Sequence, residues 1–153
     1  MRIAFAADDE NETTRAVAAY LAQSHTVLSV TTATDWPSIG AAVGLAVSTG
    51  DADFGLVMCW TGTGTAIAAN KITGIRAALA WDPWIARGAR LWNDANVLAL
   101  SLKRLAPDVA VEVVTAFLDT TDADPTEAAN VASLAALEKR PTTSRMPLEP
   151  PFH

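Results

Sequence analysis

Apolar residues in this chain gather in short unbroken runs, set apart by stretches with helical spacing. Residues 2–6 (RIAFA), 26–30 (TVLSV), 54–58 (FGLVM), 76–80 (RAALA) and 96–100 (NVLAL) have the length and continuity of strands buried on both faces of a parallel sheet. Five strands are predicted. Downstream, Ala110, Val113, Val114, Phe117 and Leu118 follow the stripe of a helix that turns one face to a core. Asp82-Pro83 and Asp124-Pro125 each set a capping carboxylate before a proline whose missing N–H is harmless in a first helical turn, with Glu127 as a capping-box partner for the second. Regular strand–helix alternation demands right-handed crossovers and a sheet covered on both sides, so the pattern predicts a three-layer α/β/α sandwich. Residues 124–139 read as a sixth helix with no strand after it. Its Val131, Leu134 and Leu137 need a cover, and a second copy of the chain is the expected one. One domain is predicted over residues 1–140, followed by an extended tail over 141–153 that holds Pro141, Pro147, Pro150 and Pro151.

Composition narrows the classes of partner. A chain of 153 residues, half of them apolar and 18% charged, has the material for one packed core and is too apolar for disorder through its length. With 17 acidic against 11 basic residues and a formal charge of −6, no stretch can neutralise a row of phosphates, which argues against a nucleic-acid partner. No apolar run approaches the roughly 20 residues needed to span a bilayer, so no membrane association is expected. Cys59 is the single cysteine, and a strand-like run begins at residue 2 where a secretory signal would show a charged and then a long apolar segment. Both point to a reducing, cytoplasmic setting.

In an open parallel sheet, ligands sit beyond the carboxyl ends of the strands, where helix N-termini converge. Asp8, Asp9 and Glu10 follow the first predicted strand, the run from Cys59 to Thr65 (CWTGTGT) follows the third, and Trp81 and Asp82 follow the fourth. The third loop is the most informative. Gly62 and Gly64 allow a close backbone approach, and the N–H groups leading into the next helix suit an anion or oxyanion. A tight strand-to-helix turn would need the same glycines. Cys59 stands where a side chain can face a pocket, and a thiol beside a helix N-terminus can serve as nucleophile or general base, or simply as a small buried apolar group. Asp8, Asp9, Glu10 and Asp35 read as caps and solvated loop residues, so no metal is predicted. Asp94 reads as a turn residue, Trp81 and Trp84 as cover for the sheet end, and His25 and His153 as solvated.

The runs 59–79 (CWTGTGTAIAANKITGIRAAL) and 92–100 (WNDANVLAL), together with the strand ending in Asp8, the Asp35-Trp36-Pro37 turn, Arg87 and Arg90, resemble the ribose-5-phosphate isomerase B and galactose-6-phosphate isomerase family over residues 1 to about 120. The resemblance implies a Rossmann-like five-stranded sheet and a homodimer, or a tetramer, whose site lies between subunits and is closed by the neighbour's C-terminal helix. It also implies interconversion of aldose and ketose sugars through a cis-enediolate, with no metal or other cofactor. On that resemblance Cys59 matches the family's base. Thr61 matches the residue that helps ring opening or steers a proton between oxygens, and the backbone of Trp60, Gly62, Thr63, Gly64 and Thr65 matches the anion hole. Asp8 and Asn93 match substrate-hydroxyl contacts.

Departures from the family pattern share a theme. Asp9 and Trp92 stand where the family carries two histidines, Trp60 replaces a glycine beside the base, and Thr126 and Asn130 stand where the family's Arg-His-x-x-Arg grips a phosphate from the neighbouring subunit. Each charge-assisted bond from arginine to phosphate contributes about 1.5–3 kcal/mol, so losing two argues against ribose 5-phosphate unless Arg87, Arg90 or Arg145 supplies a relocated grip. The expected substrate is a sugar whose far end is neutral, aromatic or cationic, meeting Trp60, Trp92 and the Asp8–Asp9 pair. A non-catalytic sugar-binding or regulatory dimer, and an epimerase or lyase using the same base and oxyanion hole, are the alternatives.

Overall fold

Strands and helices alternate as the pattern predicts: β1 (Arg2–Ala7), α1 (Glu12–Ser24), β2 (Thr26–Leu28), α2 (Trp36–Ser48), β3 (Phe54–Cys59), α3 (Thr63–Ala69), β4 (Ala77–Leu79), α4 (Pro83–Asn93), β5 (Val97–Ser101), α5 (Pro107–Asp119) and α6 (Ala128–Glu138). The structure, a computed structural model, describes residues 1–139. The expected tail and Arg145 lie outside the described residues. All pairings in the sheet are parallel, in the order β2-β1-β3-β5-β4. The two shortest strands, β2 and β4, are the edge strands, each held by a single neighbour, and both are shorter than their apolar runs.

Right-handed crossovers dictate which face each helix covers. The chain steps one way from β1 to β2, the other way to β3 and on to β4, then back to β5. α1 and α4 therefore share one face with α5, and α2 and α3 take the other. The cores agree. Ile3, Leu56, Met58, Leu98 and Leu100 pack with Val17, Leu21, Val113, Val114 and Phe117 on the first face. Ala4, Val57, Val97 and Ala99 pack with Ile39, Val43, Ala66 and Ala69 on the second. All five stripe residues expected on α5 are buried. Asp82 caps α4 by accepting the Ile85 N–H at 2.9 Å, with Pro83 in the first turn.

The end of the chain departs from expectation. Asp124-Pro125 opens a single 3-10 turn, Pro125–Glu127, and Asp124 accepts from the Thr126 N–H at 2.9 Å. Glu127 makes no capping box, because its Oε2 accepts from Asn130 Nδ2 at 2.6 Å. α6 then runs past the β4 edge with no buried residue. Val131 and Leu134 border a groove of about 360 Å³ against Ile75, Ala77 and Asn93, and Leu137 is exposed. Among the described residues no helix is long and apolar enough to cross a membrane.

Candidate active site

β1 and β3 are neighbours whose outgoing connections run in opposite directions, which opens a crevice at their carboxyl ends. Ala7 pairs with Met58, so Asp8 and Cys59 are the next residues out on adjoining strands, their backbones about 5 Å apart. The Asp8 N–H donates to the Met58 carbonyl at 3.1 Å and fixes that register. Strand alternation turns Asp8 and Cys59 toward the α2–α3 side, as it does Ala6 and Val57 two residues earlier.

The Cys59 sulfur is buried yet borders an open cleft of about 480 Å³ shared with Asp8, Trp36, Trp60, Thr61, Thr63 and Gly64. Behind it the chain reverses at Gly62, whose φ of 79° favours glycine. A Cβ there would lie 2.5 Å from Leu79 Cδ1 and 2.9 Å from the Leu100 carbonyl carbon, so the loop sits directly on β4 and β5. That packing aims donors at the sulfur. The Gly62 N–H donates to Sγ at 3.1 Å, and the Thr65 hydroxyl lies 3.4 Å from Sγ and 3.3 Å from the Gly62 carbonyl oxygen. These contacts hold the sulfur against the loop that leads into α3.

Thr61 and Thr63 pair their hydroxyls at 2.7 Å on the cleft wall. Gly64 admits Trp36, since a Cβ on Gly64 would meet the indole at 2.9 Å. Asp8 is the other ionisable side chain of the lining. Its Oδ1 is buried without a hydrogen-bond partner among the described residues, and burial, then the neighbouring charge of Asp9, pushes the carboxyl above the usual carboxylate range.

A small ionic bridge builds the rim. Trp60 is 59% exposed, its Nε1 donates to Asp9 Oδ2 at 3.2 Å, and Lys103 sets its ammonium 4.6 Å over the indole and 3.8 Å from the same Asp9 oxygen. Asp9 itself borders the adjoining hollow with Glu10 and Thr31. Sequence reasoning missed Trp36 and Lys103. Trp36 carried a signal, as the first residue after the Asp35 cap of a helix that starts at this edge, where Asp35 accepts the Ser38 N–H at 2.9 Å. Lys103 offered none beyond its place after β5.

Other expected residues lie elsewhere. Trp92 and Asn93 end α4, whose eleven residues carry the chain about 16 Å from the carboxyl edge of the sheet. Within one chain they therefore stand away from Cys59. Trp92 packs edge-on against Trp84, with ring centroids 5.5 Å apart, and Asn93 borders the α6 groove. Trp81 and Trp84 do not cover the sheet end as expected, for both are largely exposed.

Arg90 is no relocated phosphate grip. It is 4% exposed and spends its guanidinium on Asp94 at 2.8 Å and on the carbonyls of Ala95, Thr120 and Thr121, over the Phe54 ring. Arg87 borders a separate groove with Glu112 and Asp119. Asp94 is a turn residue, the left-handed C-cap of α4 with φ 46°.

The chain resembles known proteins along most of its length. The model of a family described as Ribose/Galactose Isomerase matches residues 3–134. Ribose-5-phosphate isomerase B of Escherichia coli is 37% identical over 107 residues, 70% of this chain and 72% of that protein. A Mycolicibacterium smegmatis protein named D-erythrulose-4-phosphate isomerase 2 is 36% identical over 106 residues, 69% of this chain and 70% of that one. The solved ribose-5-phosphate isomerase B of Clostridium thermocellum superposes with a TM-score of 0.84 at 34% identity, covering 91% of this chain and 98% of its own. With a family model that spans residues 3–134 and relatives this similar over most of their length, the chain belongs to the ribose/galactose isomerase family of aldose–ketose isomerases.

Proposed function

We propose that the chain interconverts a short, open-chain aldose and ketose through a cis-enediolate, with Cys59 as the base that moves hydrogen between adjacent carbons. The observation that carries this reading is the Cys59 sulfur at the floor of a cleft, with the Gly62 N–H and the Thr65 hydroxyl turned toward it. A thiolate there takes the hydrogen next to a carbonyl. First-turn N–H groups of α3, which lack intrahelical acceptors, stand beside the oxygen that becomes charged. Thr61 lines the cleft to orient a hydroxyl.

Substrate choice follows from what surrounds the base. The lining holds the carboxyl of Asp8 and two indoles, without a cation. Lys103 is engaged by Asp9 and Trp60, and the positions matching the family's phosphate arginines hold a threonine and an asparagine. A far end that is neutral, aromatic or cationic suits these walls better than a phosphate. A sugar that forms no ring asks nothing of the cleft beyond a base and hydrogen-bond donors for its oxygens. The substrate in one relative's name, D-erythrulose 4-phosphate, forms no stable ring, although its far end carries the phosphate that these walls suit less well.

A second copy of the chain completes the site in this reading. The exposed Trp92 and Asn93 at the far end of α4, and an α6 with no buried residue, supply surfaces for it. The test is turnover followed by NMR on free and phosphorylated tetruloses and pentuloses, with Cys59→Ala as control. Cys59-dependent isomerisation of a tetrulose in preference to ribose 5-phosphate is expected. A preference for ribose 5-phosphate would overturn the substrate assignment. Tight binding of a sugar without turnover would make the chain a sugar-binding protein.

A further inference from the structure

Isomerisation through an enediol moves two hydrogens, one between carbons and one between oxygens. Cys59 accounts for the first. For the second, the Thr61 and Thr63 hydroxyls share one hydrogen bond, the Trp60 N–H is held by Asp9, and Thr65 lies against the sulfur. Asp8 Oδ1 is the buried polar side-chain atom of the lining left without a partner among the described residues. It stands one strand over from Cys59, on the same face of the sheet.

From this we infer that Asp8 carries the oxygen-bound proton of the isomerisation, a role that rests on the reaction proposed above. The Cys59 thiolate takes the hydrogen from the carbon beside the carbonyl. That C–H pair becomes the C=C bond, the carbonyl π pair moves to oxygen, and the oxygen takes the Asp8 proton. In the second half the Asp8 carboxylate takes the proton of the neighbouring hydroxyl, whose O–H pair forms the new carbonyl, while the C=C pair takes the proton back from the Cys59 thiol. Both side chains end as they began, and the substrate is oxidised at one carbon and reduced at the next.

The surroundings favour a carboxyl that holds its proton. Burial removes water from Asp8, Asp9 adds a like charge on the same loop, and the nearby ammonium of Lys103 is turned to Asp9 and the Trp60 ring. Glu10 beyond is paired outward with Arg15 at 3.2 Å. Cys59 is the titratable group facing Asp8 from β3.

Asp8→Asn keeps the shape and a hydrogen-bond donor but cannot release a proton. Turnover number, KM and the pH profile of kcat/KM are measured for the unmodified chain, Asp8→Asn and Cys59→Ala on the best tetrulose, with circular dichroism to confirm folding. The expected result is a kcat lowered about 10²–10⁴-fold in Asp8→Asn at a KM within a few-fold, and a bell-shaped profile that becomes one rising with pH and never falling. A near-normal kcat with raised KM and an intact bell would make Asp8 a binding group and overturn the inference, leaving the Cys59 reaction standing. Absence of turnover by the unmodified chain would overturn both.

Discussion

Two polar clusters occupy opposite edges of the same sheet, and they differ in how completely they are satisfied. At the amino edge, Arg90 and Arg76 converge on Asp94, and their other N–H groups reach the carbonyls of Ala95, Thr120, Thr121 and Gly74. At the carboxyl edge, Asp8 keeps an unpartnered buried oxygen and Cys59 faces open space. A closed network fixes geometry. An open one has capacity left for a ligand, and keeping a buried oxygen unpaired destabilises the fold. The difference leaves the carboxyl edge as the one with hydrogen-bonding capacity to spare.

The largest effect expected from breaking this contrast is at the closed network. Arg90→Ala leaves buried carbonyls without donors and Asp94 with one partner fewer, and should destabilise the fold by about 3–5 kcal/mol in denaturant titration, while the folded fraction retains its ligand affinity. Next is Gly62→Ala, which meets a left-handed φ and the Leu100 backbone at 2.9 Å. It should cost about 2–3 kcal/mol and displace the N–H that reaches the Cys59 sulfur, so stability and turnover fall together, in contrast to Arg90→Ala.

The smallest effect is the sharpest test of sign. Asp53, held by the Arg2 guanidinium and N–H, and Asp35, held by the Ser38 N–H, lie below the usual carboxylate range. Their stabilisation is complete above the unfolded value of 3.8 and is lost as pH falls through the lower folded values. Asp8 runs the other way. The folded chain binds its proton more tightly than the unfolded chain, so its contribution declines as pH rises above 3.8. Asp8→Asn should therefore raise the melting temperature slightly at neutral pH, whereas Asp53→Asn should lower it.

Fold and site were unequally legible in the sequence. Short apolar runs between helical stretches placed all five strands, and the ends of β2 and β4 blurred because an edge strand stops where its one neighbour stops pairing. The Cys59 loop could be read because its glycines, threonines and cysteine are contiguous. Trp36 at the start of α2 lines the cleft and Lys103 after β5 holds its Trp60 rim, a neighbourhood set by strand order, which a linear pattern does not carry. Asp124-Pro125 marked a real cap, but the turn that follows is 3-10. Trp92 and Asn93, the first two residues of the WNDANVLAL run, end α4 at the far edge of their own chain's sheet, a distance that the run itself does not display.

The most direct test of the proposed chemistry is hydrogen exchange in heavy water, followed by proton NMR of a tetrulose incubated with the unmodified chain and with Cys59→Ala. Deuterium should enter the carbon next to the carbonyl with the unmodified chain and fall by two orders of magnitude or more when the sulfur is removed. Equal incorporation by the two proteins would contradict a thiolate base at the end of β3.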